Sequence, residues 1–209
     1  MNSQTRRLQV QGPVGAIEVL RDEPAADAAP RGTAVIAHPH PLFGGTMDNK
    51  VVQTLARAFV QSGWSAVRFN FRGVGATQGT HDEGRGELED MLALIRDQAG
   101  EGALAIAGFS FGAYVANGAV QSLWPSGRIE KIVLVGTSAE KHQLPALPAE
   151  AHDRTLVIHG EQDDTVPLAA VMDWARPQSL PVTVVPGVAH FFHGQLPLLK
   201  SLVVRHLCS

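Results

Sequence analysis

Residues 103–112 read ALAIAGFSFG, and the way that run ends decides the fold. Its first part is apolar without interruption, as suits a strand covered on both faces. It breaks at Gly108-Phe109-Ser110-Phe111-Gly112, a match to G-x-S-x-G, and the following AYVANGAVQSLW reads as a helix. Strand, tight turn and helix in that order set one serine hydroxyl on the turn, clear of the sheet. Gly108 and Gly112 leave room for the backbone that such a turn brings close. A serine hydroxyl is a poor nucleophile until a base takes its proton. The pentapeptide therefore predicts chemistry only if a base and an orienting acid stand elsewhere in the chain.

Both are found C-terminal to it, at strand ends. Ile129–Val135 reads as a strand, Gly136–Asp153 as a connection and Thr155–His159 as the next strand. GEQDDTVP (160–167) follows, with Asp163 and Asp164 in one loop. A helix over Leu168–Ala175 leads to a last strand, Val182–Val185, and then to PGVAHFFH (186–193), which carries His190 and His193. A closing helix covers roughly Gln195–Leu207, ending beside the lone cysteine, Cys208. The order serine, acid, histidine is the one that this strand–turn–helix context requires.

N-terminal to the serine the alternation continues. Leu8–Gln11 and Gly15–Leu20 read as an antiparallel hairpin turned at Gly12-Pro13. DEPAADAAPR (22–31) is a surface loop, and Gly32–Ala37 a buried strand running into a Pro- and Gly-rich loop, His38–Gly45. Asn49–Ser62 is a helix stopped by Gly63; Ser65–Phe69 is a strand. Asn70–Gly79 is a glycine-rich loop, and Glu87–Gln98 a helix. Strands alternating with helices predict an α/β fold with a mostly parallel, doubly wound sheet, opened by the N-terminal hairpin. Ligands in such sheets bind beyond the carboxyl ends of the strands, where Ser110, the Asp163-Asp164 pair and the segment with His190 and His193 all fall.

The 209 residues suit a single domain spanning 1–209, and a net charge of −3 gives no basic footprint for nucleic acid. A single cysteine excludes an internal disulfide framework. No apolar run reaches membrane-spanning length, and MNSQTRRLQV lacks the apolar core of a secretion signal. The expectation is a cytoplasmic protein, monomer or homodimer, with a small-molecule partner and neither a nucleic-acid nor a membrane partner.

The segment HPHPLFGGTMDNK (38–50), together with RFNFRGVG (68–75), resembles a group of small bacterial serine hydrolases related to the dienelactone hydrolases, within the α/β-hydrolase superfamily. The likeness runs from about residue 15 to 206. It implies the α/β-hydrolase fold and hydrolysis of small acyl esters through an acyl-enzyme. Ser110 matches the nucleophile, Asp163 the acid of the G-x-x-D-x-x-V-P pattern and His190 the base of G-x-x-H-F-F; Asp164 and His193 are the rivals. Dienelactone hydrolase carries cysteine at the elbow, where this chain has serine.

An oxyanion hole would take the backbone N–H of Phe111 and a second from the loop after strand Gly32–Ala37. Pro39 and Pro41 have no N–H. Leu42 is the choice, with His40 and Phe43 as alternatives. The H-x-H of His38 and His40 lacks the rest of a metal signature, so no metal and no cofactor are expected. Arg72 lies outside any phosphate-loop pattern and ties loops together. Gly136–Asp153 is too short for a lid domain, which leaves the cleft open. A thioesterase, lactonase or amidase with the same three residues, or a catalytically silent ligand-binding member of the fold, is the alternative. Dehalogenases and epoxide hydrolases of this fold place aspartate at the elbow.

Overall fold

The computed structural model describes residues 5–25, 30–139 and 144–209. Ala26–Ala29 of the expected 22–31 loop, and 140–143 of the expected 136–153 connection, lie outside the described residues. Eight strands form one sheet in the order β1-β2-β4-β3-β5-β6-β7-β8. β1 (Thr5–Gly12) and β2 (Gly15–Asp22) pair antiparallel, and β2 pairs antiparallel with β4 (Ser65–Phe69). From β4 onward every pairing is parallel: β3 (Thr33–Ala37), β5 (Leu104–Phe109), β6 (Ile129–Val135), β7 (Thr155–Gly160) and β8 (Val182–Val185).

The hairpin is longer than the sequence implied, and its turn is Pro13-Val14, since Gly12 pairs with Gly15. The residues missed at the start of β1, Thr5, Arg6 and Arg7, are polar because β1 is an edge strand with one face in water.

The central strands are buried on both faces, and their side chains alternate between two cores. Val35, Ile106, Ile132 and Leu134 join the core covered by α2 (Arg85–Ala99), α3 (Phe111–Leu123) and α4 (Leu168–Ala175). Ile36, Ala105, Phe109, Val133 and Val135 join the other, covered by α1 (Lys50–Gln61) and α5 (Leu196–Cys208). Each large apolar side chain buried this way contributes about 1.5–3 kcal/mol.

Two clamps hold the loops at the carboxyl end of the sheet. The Arg68 guanidinium, buried on β4, donates to Asp22 Oδ2 at 3.0 and 3.1 Å and to the Met47 carbonyl at 3.0 Å. Asn70 Oδ1 accepts from Met47 N–H at 2.9 Å, and its amide donates to Glu18 at 2.9 Å. The 38–50 segment is thereby fastened to β4 and its loop. Arg72 binds Asp90 of α2 with two bonds of 2.8 Å, so it ties its loop to a helix and offers no free guanidinium. β6 and β7 are joined by residues 136–154, whose described part ends in a short 3₁₀ turn, Ala149–Arg154. There is no lid domain among the described residues.

Candidate active site

Ser110 stands between β5 and α3 with φ +58° and ψ −119°. A non-glycine residue held there stores about 1–3 kcal/mol of strain, which the surrounding packing must overrule. The packing is tight enough to do so. A Cβ at Gly108 would lie 2.2 Å from the Gly112 carbonyl oxygen, and one at Gly112 would lie 2.3 Å from that of Ala37. Only hydrogen fits at either position, so the turn, α3 and the end of β3 touch backbone to backbone. The Ser110 N–H donates to the Val135 carbonyl at 2.8 Å, fixing the turn to β6.

Ser110 Oγ lies 3.0 Å from His190 Nε2, and His190 Nδ1 lies 2.7 Å from Asp163 Oδ2. All three residues are buried. Asp163 Oδ1 accepts from the N–H groups of Thr165 and Val166, at 3.0 and 2.7 Å. Burial works against the Asp163 charge, but His190, the Val166 amide and His159 outweigh it, so the carboxyl is held below its ordinary range. An ionised Asp163 can only accept, which puts the hydrogen of His190 on Nδ1. The lone pair of Nε2 then faces the serine hydroxyl, the arrangement a general base needs. Asp164 is exposed and does not reach His190; its side chain bonds the Thr165 hydroxyl. His193 is exposed in the turn before α5 and away from Ser110.

Two further histidines are built in. His38 is fully buried; its Nδ1 lies 2.6 Å from the Pro39 carbonyl and its Nε2 accepts from the Phe71 N–H at 2.9 Å. A carbonyl only accepts, so Nδ1 carries the hydrogen and the ring is neutral. It bridges the loop after β3 to the loop after β4, a structural and not a metal-binding use. Among the described residues no group of three or more His, Cys, Asp or Glu side chains is placed to hold a metal.

Burial pushes the His38 imidazole down to about 4. The unfolded chain, at about 6.5, therefore binds a proton that the folded chain refuses between those values. Stability from this group is complete above about pH 6.5 and is lost as pH falls to about 4, by about 3 kcal/mol. His206, also pushed by burial to about 4, acts in the same window. Urea denaturation from pH 7 to 4 checks this, and a flat profile would contradict it.

His159 is the residue that sequence reading passed over. It is the next-to-last residue of β7, fully buried, with Nε2 2.9 Å from the Val166 carbonyl and 3.4 Å from Asp163 Oδ2. Its N–H closes the turn whose amides hold Asp163, and burial keeps the ring neutral. The available signal was a histidine at a strand end four residues before the acid.

Leu42, the expected second donor, lies in a tight turn. Pro41–Phe43 form one 3₁₀ turn, started by a proline at its first position. The turn sends Leu42 outward, 69% exposed, and its N–H donates to His40 Nδ1 at 3.3 Å. The Phe43 N–H donates to the His40 carbonyl at 3.2 Å. Leu42 does not line the cleft; His40 does. The cleft holds about 290 Å³, with Ser110 and His190 at its floor and Pro39, Phe43, Gly45 and Phe191 among its walls. Phe191 is half exposed on the wall, while Phe192 is buried in the core.

Residues 40–153 match the alpha/beta hydrolase fold family. The structure is similar to XC6422 from Xanthomonas campestris, an α/β serine hydrolase without a lid: TM-score 0.87, 36% identity, covering 100% of this chain and 95% of that one. It is similar also to an α/β serine hydrolase homologue from Coxiella burnetii: TM-score 0.83, 38% identity, 97% of each chain. An uncharacterized Rickettsia prowazekii protein, RP471, is 39% identical over 114 residues, 53% of this chain and 47% of that protein, so the match spans about half of that relative's length. No helix among the described residues is long and apolar enough to cross a membrane. The likeness to serine hydrolases over the whole chain supports a hydrolytic enzyme, and the chain belongs to the alpha/beta hydrolase fold family.

Proposed function

We propose that residues 1–209 act as one domain, a lidless serine esterase of the dienelactone-hydrolase-related group, cleaving small acyl esters through an acyl-enzyme. The observation that carries this is the chain of contacts Ser110 Oγ to His190 Nε2 to Asp163 Oδ2, at 3.0 and 2.7 Å, on the floor of an open cleft. His190 takes the proton of Ser110 as Oγ attacks the ester carbonyl. Asp163 holds the ring in the required tautomer and stabilises the imidazolium that forms. The proton then passes to the departing oxygen, and water, deprotonated by His190, releases the acid.

The negative oxygen of the tetrahedral intermediate needs donors on the far side of the carbonyl. Phe111 N–H, the first of α3, is one proposed donor, favoured by the helix N-terminus. His40 N–H, weighed beside Leu42 of the same loop, is the other, because His40 borders the cleft. Removing one such donor typically costs about 10²–10³ in kcat.

The test is a fluorophosphonate probe followed by peptide mapping, run beside a panel of acyl esters, thioesters, lactones and amides. A stoichiometric adduct on Ser110 and the highest kcat/KM on short acyl esters are expected. Absence of any adduct on folded protein would point instead to a ligand-binding member of the fold. Preference for another acyl class would replace the ester.

A further inference from the structure

The cleft does not end at Ser110. Gly44, Asn49 and Phe191 border it and border equally a second recess of about 290 Å³. The two differ in chemistry. Beside Ser110 the walls are chiefly Pro39, Phe43, Gly45 and Phe191. The second recess presents Thr46, Asp48, Lys50 and His193. Except for Phe191 and His193, these polar and bordering residues come from HPHPLFGGTMDNK, whose second half the Ser110 contacts leave unused.

The chemistry fixes which part of a substrate points there. When the acyl carbon–oxygen bond breaks and the Ser110 Oγ–acyl bond remains, the departing oxygen takes its proton from His190 Nε2. The departing group must therefore lie along the His190 wall. Phe191 continues that wall: it follows His190 directly, and its ring stands edge-on to the imidazole with centroids 5.0 Å apart. Phe191 is 43% exposed, so an aromatic face meets whatever leaves.

The polar groups of the recess say what that group is. Asp48 lies 3.4 Å from Arg68 Nη1, which tempers its charge, and Lys50 supplies a cation nearby. With the Thr46 hydroxyl and the His193 ring, the recess both donates and accepts hydrogen bonds and has no single sign of charge. An anion would meet Asp48, and an alkyl chain would strip water from these groups without replacing its bonds. An alcohol with several hydroxyls satisfies donors and acceptors alike, and its C–H face can pack on Phe191.

We propose that this recess is the leaving-group subsite and that the substrate is a short acyl ester of a polyhydroxylated alcohol of the sugar type. The assignment rests on the esterase function proposed above. It is tested by comparing glucose acetylated on its primary hydroxyl with hexyl acetate, both acetates of primary six-carbon alcohols, with phenyl acetate as a third substrate. The expected kcat/KM for the sugar ester is about tenfold that for hexyl acetate, carried by KM. In Lys50→Met and in His193→Leu, both exposed positions, that ratio falls about fivefold. Equal or lower kcat/KM on the sugar ester overturns the assignment, as does a ratio unchanged in both variants. If phenyl acetate is cleaved without a sugar preference, the subsite assignment alone fails. If the folded enzyme cleaves none of the three, the esterase function fails and the subsite with it.

Discussion

Ser110→Ala is expected to lower kcat on the best acyl ester by about 10⁶, the scale on which removal of a nucleophile acts when its partners form one unit. Oγ is what His190 Nε2 meets at 3.0 Å. Rate above that of water should persist through substrate positioning and the oxyanion donors, by about 10³–10⁴. The sheet does not depend on Oγ: the turn is tied by the Ser110 N–H to Val135 and by the close approach at Gly108 and Gly112. The variant should therefore keep the native circular dichroism spectrum and bind substrate with an unchanged Kd. A variant retaining more than about a hundredth of native kcat would remove Ser110 from the nucleophile's role.

Asp163→Asn should lower kcat by about 10⁴ with KM nearly unchanged. The reason lies in the two amides at Oδ1. Thr165 and Val166 both donate there, so an asparagine must turn its carbonyl oxygen toward them. Its amide group then occupies the position of Oδ2 and donates to His190 Nδ1. The imidazole is forced to carry its hydrogen on Nε2, where it faces Ser110 as a donor and can take no proton. KM stays because Asp163 does not border the cleft.

The same substitution has a stability signature with a defined sign. The Asp163 carboxyl is held below its ordinary range in the folded protein. Its contribution is present above the unfolded value of about 3.9 and is lost as pH falls through the folded one. Denaturation of the Asn variant should thus lack part of the acid segment of the native profile, below the His38 window. Identical profiles below pH 4 would contradict the assignment of that segment to Asp163.

How much of this was legible in the sequence follows from how local each feature is. The strand–turn–helix around Ser110 is written in one continuous stretch, residues 103–124, and the acid and base stand at the ends of strands whose apolar runs are plain. The expected bounds of β6, α4 and β8 match the structure because each is closed by glycine or proline. β1 was cut short because an edge strand needs only one apolar face. The surroundings of Leu42 were not legible because they depend on a bond from its own N–H to the His40 ring, which no spacing rule records. His159 was silent because its meaning is a contact across the loop, to Val166 and Asp163, that exists only once the turn has closed.

The backbone contact at Gly112 also separates two kinds of evolutionary freedom. The relation of the elbow to the loop after β3 is set by a main-chain hydrogen resting on the carbonyls of Ala37 and His38, with no side chain between them. Side chains on the cleft walls, Phe43 and Phe191 among them, can be exchanged without moving that contact. Such a scaffold can drift in what it accepts while the geometry that performs the bond cleavage stays still.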